Sequence, residues 1–425
     1  VRRLKVLVSA YACNPLGSQA LHPGEDLTGW RLVNQAARFH DVWVLTHAYN
    51  RPGIEQGLRE RPGPAGLRFE FLDLPRPLGL LYKVAFGERI YYYLWQIRAW
   101  RAARRLHRRT GFDLAHHATF GNDWIPSYIG AFLPVPYVHG PVGGGQRTPR
   151  KLMNEYTLAG RLSERGRNTA QWFGRRDPVR RRCLRRARAV LVCNNETRDK
   201  VPRSMAAKVL FFPVNGISRE DLGPADLGPR PPRPLRVFSA GRFHRLKGFA
   251  LAVRGFAAFA ADHPGSEFVI VGGGDEGKNL ERLVRDLGLS GRVRVEPWLP
   301  REALLREMRA SDVFLFPSFR DGGGAVVVEA MASSLPVVVL DSGGPGTHVL
   351  PEWGFKIEPR DPAFAEDGIA RALSALAGTP GLIRRMGQAG RKRAEDFYLW
   401  DRHGERLRDI YAAALEPDPE AERRP

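Results

Sequence analysis

Long apolar runs are missing from this chain of 425 residues. No stretch approaches the ~18 consecutive apolar residues of a membrane-spanning helix, and 43% hydrophobic content is that of a globular protein. The opening Val1-Arg-Arg-Leu-Lys-Val-Leu-Val-Ser-Ala10 is charged at first, but its apolar part has only strand length, which excludes a secretory h-region. Cysteine is scarce. Cys13, Cys183 and Cys193 are odd in number and without metal-ligand spacing, so a disulfide framework is excluded and three buried thiols in a reducing cytoplasm are expected. Acidic residues are the scarcer sign, 45 against 66 basic ones, giving a net charge of +21 and a pI of about 10.5. That excess suits nucleic acid, an anionic membrane or an acidic substrate, and its arginine bias fits a general coding preference equally well.

At this length two domains of roughly 200 residues are the natural organisation. The chain is most informative between Phe314 and Gly344. Val313–Phe316 is an apolar run that stops at Pro317-Ser318; Gly322, Gly323 and Gly324 then open a helix through Ala325 and Val326 to Glu329; Val337–Leu340 is a second apolar run ending in Ser342-Gly343-Gly344. Strand, glycine loop, helix, strand, glycine loop is the βαβ unit of a doubly wound parallel sheet, with both loops at its carboxyl edge. Glycines allow close backbone approach, and free N–H groups at a helix start cradle anions. Asp321 and Glu329 flank that cradle as acceptor-only groups, which suits a polyhydroxylated phosphate ester such as a nucleotide sugar and would repel a bare phosphate.

These residues resemble the signature of retaining GT-B glycosyltransferases of the family-4 type: Pro317-Ser318, an acid, three glycines, seven residues between Asp321 and Glu329, Glu329-Ala-Met-Ala, Pro336-Val-Val and Gly343-Gly-Pro. The resemblance implies two Rossmann-like domains facing each other across a cleft. It also implies that Asp321 touches hydroxyls of the transferred sugar, that the glycine amides line sugar and phosphate, and that Glu329 binds the ribose. Asp321 departs from the family's glutamate and is shorter by one C–C bond, about 1.5 Å.

The amino-terminal half opens with a strand at Leu4–Ser9, a loop through Gly17, Gly24-Glu25-Asp26 and Gly29, a helix from Trp30 to Phe39, and a strand at Val42–Thr46. By the same resemblance Gly24 and Glu25 belong to the cleft; as plain chemistry the two acids complement a solvated helix N-terminus. Ile90–Arg109 reads as a helix with aromatics on one side and arginines toward its end, either a solvated face or a contact with an anionic bilayer. His116 and His117 end a short strand where the cleft should open, and related transferases place a histidine near the donor sugar. His139, Gly143 and Gly144 belong to a Gly-Pro-Val-Gly-Gly-Gly segment that lines the cleft in one branch of the family. From Arg147 to Arg188 arginines cluster, and their densest part, Arg175-Arg176 and Arg180 to Arg188, has no interleaved aromatics, which argues against single-stranded nucleic acid and leaves a membrane-facing patch or an acidic acceptor.

The Pro/Gly-rich stretch 223–234 is read as the linker between a domain at 1–222 and a second at 235–395; 396–415 is a closing helix returning to the first domain, and 416–425 a disordered tail. Past the linker, Leu235–Gly241 is a strand whose loop carries Arg242 and Lys247, two cations at a helix start, as a diphosphate requires. Gly272-Gly273 through Lys278 nearly spells a phosphate-binding loop, but Asn279 replaces the hydroxyl residue and Asp275-Glu276 would put negative charge in the anion nest, so an ATPase is rejected. In the family this segment lies beside the nucleotide, and Pro297, Trp298 and Leu299 occupy the place of the base.

No Asp-x-Asp spacing occurs, so no metal and no cofactor is expected, and Arg242 and Lys247 take the electrostatic role at the leaving phosphate. The expected activity is transfer of a sugar, with retention, from a nucleotide diphosphate to a carbohydrate, lipid-linked or small-molecule acceptor. A GT-B epimerase or phosphorylase and a degenerate relative that only binds nucleotide or membrane are the alternatives.

Overall fold

The computed structural model describes residues 2–16, 22–83, 87–226, 228 and 233–417; Gly17, most of the proline-rich part of the expected linker and the tail from 418 lie outside them. Two wholly parallel sheets organise the chain. The first holds β1 (Lys5–Ala10), β2 (Asp41–His47), β3 (Leu67–Leu72), β4 (Leu114–Thr119), β5 (Tyr137–Val142), β6 (Ala187–Val192) and β7 (Val209–Phe211), in the order 3-2-1-4-5-6-7. The second holds β8 (Arg236–Arg242), β9 (Glu267–Gly273), β10 (Val293–Glu296), β11 (Val313–Phe316), β12 (Val337–Leu340) and β13 (Gly354–Ile357), in the order 10-9-8-11-12-13. Both orders reverse direction once, between β1 and β4 and between β8 and β11, and such a switch point opens a crevice at the carboxyl ends of the strands.

The central strands read as apolar runs because helices cover both faces: every residue of β11 and β12 is buried. The edge strands β3 and β13 lack that run, with charged or polar residues alternating along Leu67-Arg-Phe-Glu-Phe-Leu, and apolar content alone does not reveal them. The amino-terminal loop also differs from expectation. A helix begins at Pro23 and runs to Ala37, so Gly24, Glu25, Asp26 and Gly29 are its first turns. Proline at a first helical position loses no hydrogen bond, and acids in the first turn favour the helix. Those acids are not solvated: Asp26 is buried and Glu25 half-buried.

The chain crosses between the sheets twice, side by side. Ile217 N–H donates to the Tyr398 carbonyl (2.9 Å) and Trp400 N–H to the Ile217 carbonyl (3.1 Å). Beyond this crossing the helix Trp400–Leu415 packs on the first domain, where Trp400, Leu407, Tyr411 and Ala414 join the core formed by β1, β2 and the helix Pro23–Ala37.

Candidate functional site

The loops after β8, β9, β10, β11 and β12 meet at the carboxyl edge of the second sheet. After β8, Arg245–Lys247 form one helical turn that ends at Gly248 (φ 72°), where an added Cβ would lie 2.1 Å from the Pro317 carbonyl oxygen. Only glycine permits this left-handed turn pressed against the next loop, and the turn delivers the Lys247 ammonium to the Asp321 carboxylate across the switch point.

Asp321 Oδ1 accepts from Gly323 N–H (3.1 Å) and Gly324 N–H (2.8 Å), while its Oδ2 pairs with Lys247. The shorter acid thus folds back and caps the loop that leads into the helix Ala325–Ala332. This corrects one expectation: the Gly323 and Gly324 amides are occupied by the protein itself. At the start of the helix the N–H groups of Ala325 and Val326 have no acceptor among the described residues, and Ala325 is exposed. Burial opposes the ionised form of Asp321, but Lys247 and the two amides outweigh it and hold the carboxyl below the usual aspartate range.

That shift has a pH signature. The folded-state pKa lies below the unfolded value of ~3.9, so the stabilisation is complete above the unfolded value and is lost as pH falls through the folded one. In thermal melts the Tm difference between wild type and Asp321→Asn is expected to be constant above ~pH 5 and to shrink toward pH 3. A gap that stays constant to pH 3 refutes the depressed carboxyl.

Glu329 lies one turn into the helix, with Oε1 paired to Arg301 at 2.7 Å, and Arg301 also pairs with Asp221 at 2.9 Å. Arg242, at the end of β8, is exposed and makes no ion pair among the described residues; in the sheet register it faces Gly273. A Cβ on Gly273 would lie 2.9 Å from the Trp298 ring, so the indole, 55% exposed, rests on the glycine turn with a face open to solvent. Pro297 is exposed and Leu299 half-buried beside it. Gly241 (φ 156°) and Gly272 pack against each other, the Gly241 carbonyl oxygen lying 1.9 Å from where a Gly272 Cβ would be.

The first domain closes over the glycine trio. Asn194 Nδ2 donates to the Gly322 carbonyl (3.0 Å), and Gly343 N–H donates to Glu196 Oε1 (2.6 Å). His348, which the sequence left without a role, is buried and donates from Nε2 to the Gly323 carbonyl (2.6 Å) while Nδ1 accepts from the Tyr398 hydroxyl (2.8 Å). Burial lowers its pKa to about 4, so it is neutral and holds the loop by a fixed tautomer. No local pattern announces this role, because Gly323 and Tyr398 are distant in sequence.

The expected histidines are not at the cleft. His116, His117 and His139 are 1%, 2% and 2% exposed, inside the first sheet. His116 Nε2 donates to the Gly140 carbonyl (2.5 Å) and its Nδ1 accepts from Tyr411 (2.7 Å), an anchor for the closing helix; His117 stacks on His139, whose Nδ1 bonds Tyr137 (2.8 Å). The pair sits one step too early in β4, since the strand runs on to Thr119 before the edge is reached. Glu25 does approach the edge, accepting from Gly121 N–H (2.8 Å), and burial raises its pKa against that hydrogen bond. Gly24 borders open space. Gly143 and Gly144 are half-buried and wired into the loop after β4, Gly143 N–H donating to the Gly121 carbonyl (2.7 Å).

Comparison with known proteins agrees with this arrangement. Residues 228–393 match the family model described as glycosyl transferases group 1. The D-inositol 3-phosphate glycosyltransferase of Nocardia farcinica is 35% identical over 199 residues, which take in 45% of this chain and 43% of that relative, so the match spans less than half of the relative's length. Among solved structures, a sucrose-phosphate synthase from Thermosynechococcus elongatus superposes with a TM-score of 0.62 at 19% identity, covering 96% of this chain and 98% of that one. Anabaena Alr3699/HepE, solved in complex with UDP-glucose, gives 0.58 at 16% identity, covering 97% and 100%. The fold is GT-B.

Proposed function

We propose that the protein is a metal-independent retaining glycosyltransferase, taking a sugar from a nucleotide diphosphate bound to the second domain and passing it to an acceptor held by the first. The observation that carries this reading is the ion pair of Lys247 and Asp321 across the switch point of the second sheet, beside the exposed start of the helix Ala325–Ala332. An ammonium has three N–H groups, and one suffices for Asp321; the others, the free N–H groups of Ala325 and Val326 and the helix dipole converge where a diphosphate would lie. Charge grows on the leaving phosphate as the glycosidic bond breaks. A cation fixed beforehand, as Lys247 is by Asp321, stabilises that charge without reorganising, and the exposed Arg242 adds a second one that donor binding would order. Trp298 offers a stacking face for the base, and Glu329, oriented by Arg301, an acceptor for ribose hydroxyls.

A thermal-shift screen of UDP-, GDP-, ADP- and TDP-sugars tests this. A UDP-sugar is the first candidate, given the UDP-glucose in the HepE complex. At a hundredfold excess over Kd the selective donor stabilises by about 2.7 kcal/mol. Trp298→Ala should weaken its binding on the order of ten- to a hundredfold, the worth of one stacked base. Transfer should persist in EDTA. No shift with any sugar nucleotide would overturn the reading.

One observation favours a second reading. Both Asp321 oxygens are engaged by the protein, which leaves a sugar hydroxyl only the remaining lone pair of Oδ2, and a relative that binds donor without turnover would look the same. Selective donor stabilisation with no nucleotide release across a broad acceptor panel would select it.

A further inference from the structure

The helix Leu158–Gly174 lies between the cleft and open surface and has two opposite characters. Its inner face is polar and tied to the site. Glu164, buried, accepts from Arg167 (2.7 Å) and pairs with Arg320 (3.4 Å), the residue before Asp321. Gln171, one heptad on and also buried, donates from Nε2 to the Gly144 carbonyl (2.8 Å), and Arg167 donates to the Gln146 carbonyl (2.9 Å). A cavity of about 290 Å3 lies along this face, bordered by Tyr156, Glu164, His244, Arg245 and Arg320.

The outer face is apolar and uncovered among the described residues. Leu158, Leu162, Trp172 and Phe173 are 72%, 56%, 47% and 65% exposed. At 100° per residue these four fall within a third of the circumference, opposite Glu164 and Gln171. A folded chain does not ordinarily leave two aromatics and two leucines in one solvent-facing stripe without a partner. The charge around the stripe says which partner. Between Arg147 and Arg188 stand fourteen basic and three acidic residues. Arg165 lies in the stripe itself, Arg176, in the turn after the helix, stacks on Trp172 with its guanidinium carbon 3.5 Å from the ring centre, and Arg181, Arg182 and Arg185 are exposed on the helix Pro178–Arg186 that follows. Apolar side chains ringed by arginine match the boundary between acyl chains and anionic headgroups.

We infer that the outer face of Leu158–Gly174 docks the protein on an anionic bilayer, and that its inner face thereby holds the cleft at the membrane surface, so that the acceptor is carried by a lipid. This inference rests on the glycosyltransferase reading for its last clause and on the patch alone for the docking.

The test is sedimentation of the full chain with vesicles of phosphatidylcholine containing phosphatidylglycerol, against phosphatidylcholine alone. Binding is expected to the anionic vesicles, to weaken as salt is raised, and to fall on the order of a hundredfold for Trp172→Ser/Phe173→Ser. Stabilisation of that variant by the selective donor, at the wild-type level, certifies its fold. Equal binding by variant and wild type, or none by either, overturns the docking. Sedimentation-velocity evidence of a dimer that the double substitution dissolves, without vesicle binding, assigns the stripe to a second copy instead. Donor stabilisation without vesicle binding sinks the docking alone, whereas vesicle binding without stabilisation by any nucleotide sugar sinks the functional reading. Transfer from the selective donor to a water-soluble acceptor at the rate found with anionic lipid extract would overturn the lipid-borne acceptor.

Discussion

Replacing Lys247 by alanine is expected to lower the transfer rate by on the order of 10²- to 10³-fold with little change in KM, the loss typical of one preorganised charge-stabilising donor. On the proposed reading the ammonium does most when charge accumulates on the leaving diphosphate, so its removal acts on the transition state more than on donor binding. It also leaves Asp321 with the Gly323 and Gly324 amides, since Lys247 is its one ion-pair partner among the described residues. Stranding a largely buried carboxylate costs about 3 kcal/mol, so a lower Tm accompanies the kinetic loss. The double variant Lys247→Ala/Asp321→Asn separates the two effects. It should regain most of the Tm and none of the activity, because the amide can still cap the loop through its oxygen while the cation stays absent. A single variant with wild-type turnover and an intact fold removes Lys247 from the chemistry.

The larger structural effect belongs to the neighbouring position. Gly248→Val places a β-branched residue at φ 72° with its Cβ 2.1 Å from the Pro317 carbonyl oxygen, an overlap with backbone that no rotamer relieves. Left-handed backbone costs ~1–2 kcal/mol for a residue with a Cβ, and overpacking a further 1–3 kcal/mol, so roughly 2–5 kcal/mol of stability should be lost. The loop after β8 and the loop after β11 are pressed together at this point. Any relief of the overlap moves Lys247 away from Asp321, and a displacement of ~1 Å costs on the order of a hundredfold in rate. Activity measured well below the variant's Tm distinguishes this displacement from simple unfolding: a folded protein with wild-type kcat would show that the turn tolerates a side chain.

Local chemistry explains which parts of the molecule were legible beforehand. Lys247, Asp321 and the glycine trio follow a strand within a few residues, and the parallel sheet brings such loops to one edge, so the meeting of Lys247 with the Asp321 loop at the second sheet's switch point could be read from order and spacing. The histidines failed for a related reason. A strand end is known from sequence only to within a residue or two, and in β4 that margin separates a cleft-facing side chain from one inside the sheet, where His116 anchors Tyr411 from the far end of the chain.

The amphipathic helix Leu158–Gly174 shows the other limit. Its arginines were visible as a cluster, but whether its apolar residues formed core or surface depended on which face met Glu164's partner Arg320, a contact across the cleft. Sequence alone determined two doubly wound sheets and the cation, glycine and carboxylate loops of the second, because strand burial and loop chemistry are short-range properties of the chain. Tertiary structure decided that Asp321 caps its own loop, that His348 and Asn194 hold the glycines, and that Trp172 and Phe173 face outward, because each outcome is set by partners far away in sequence whose approach depends on how the domains pack.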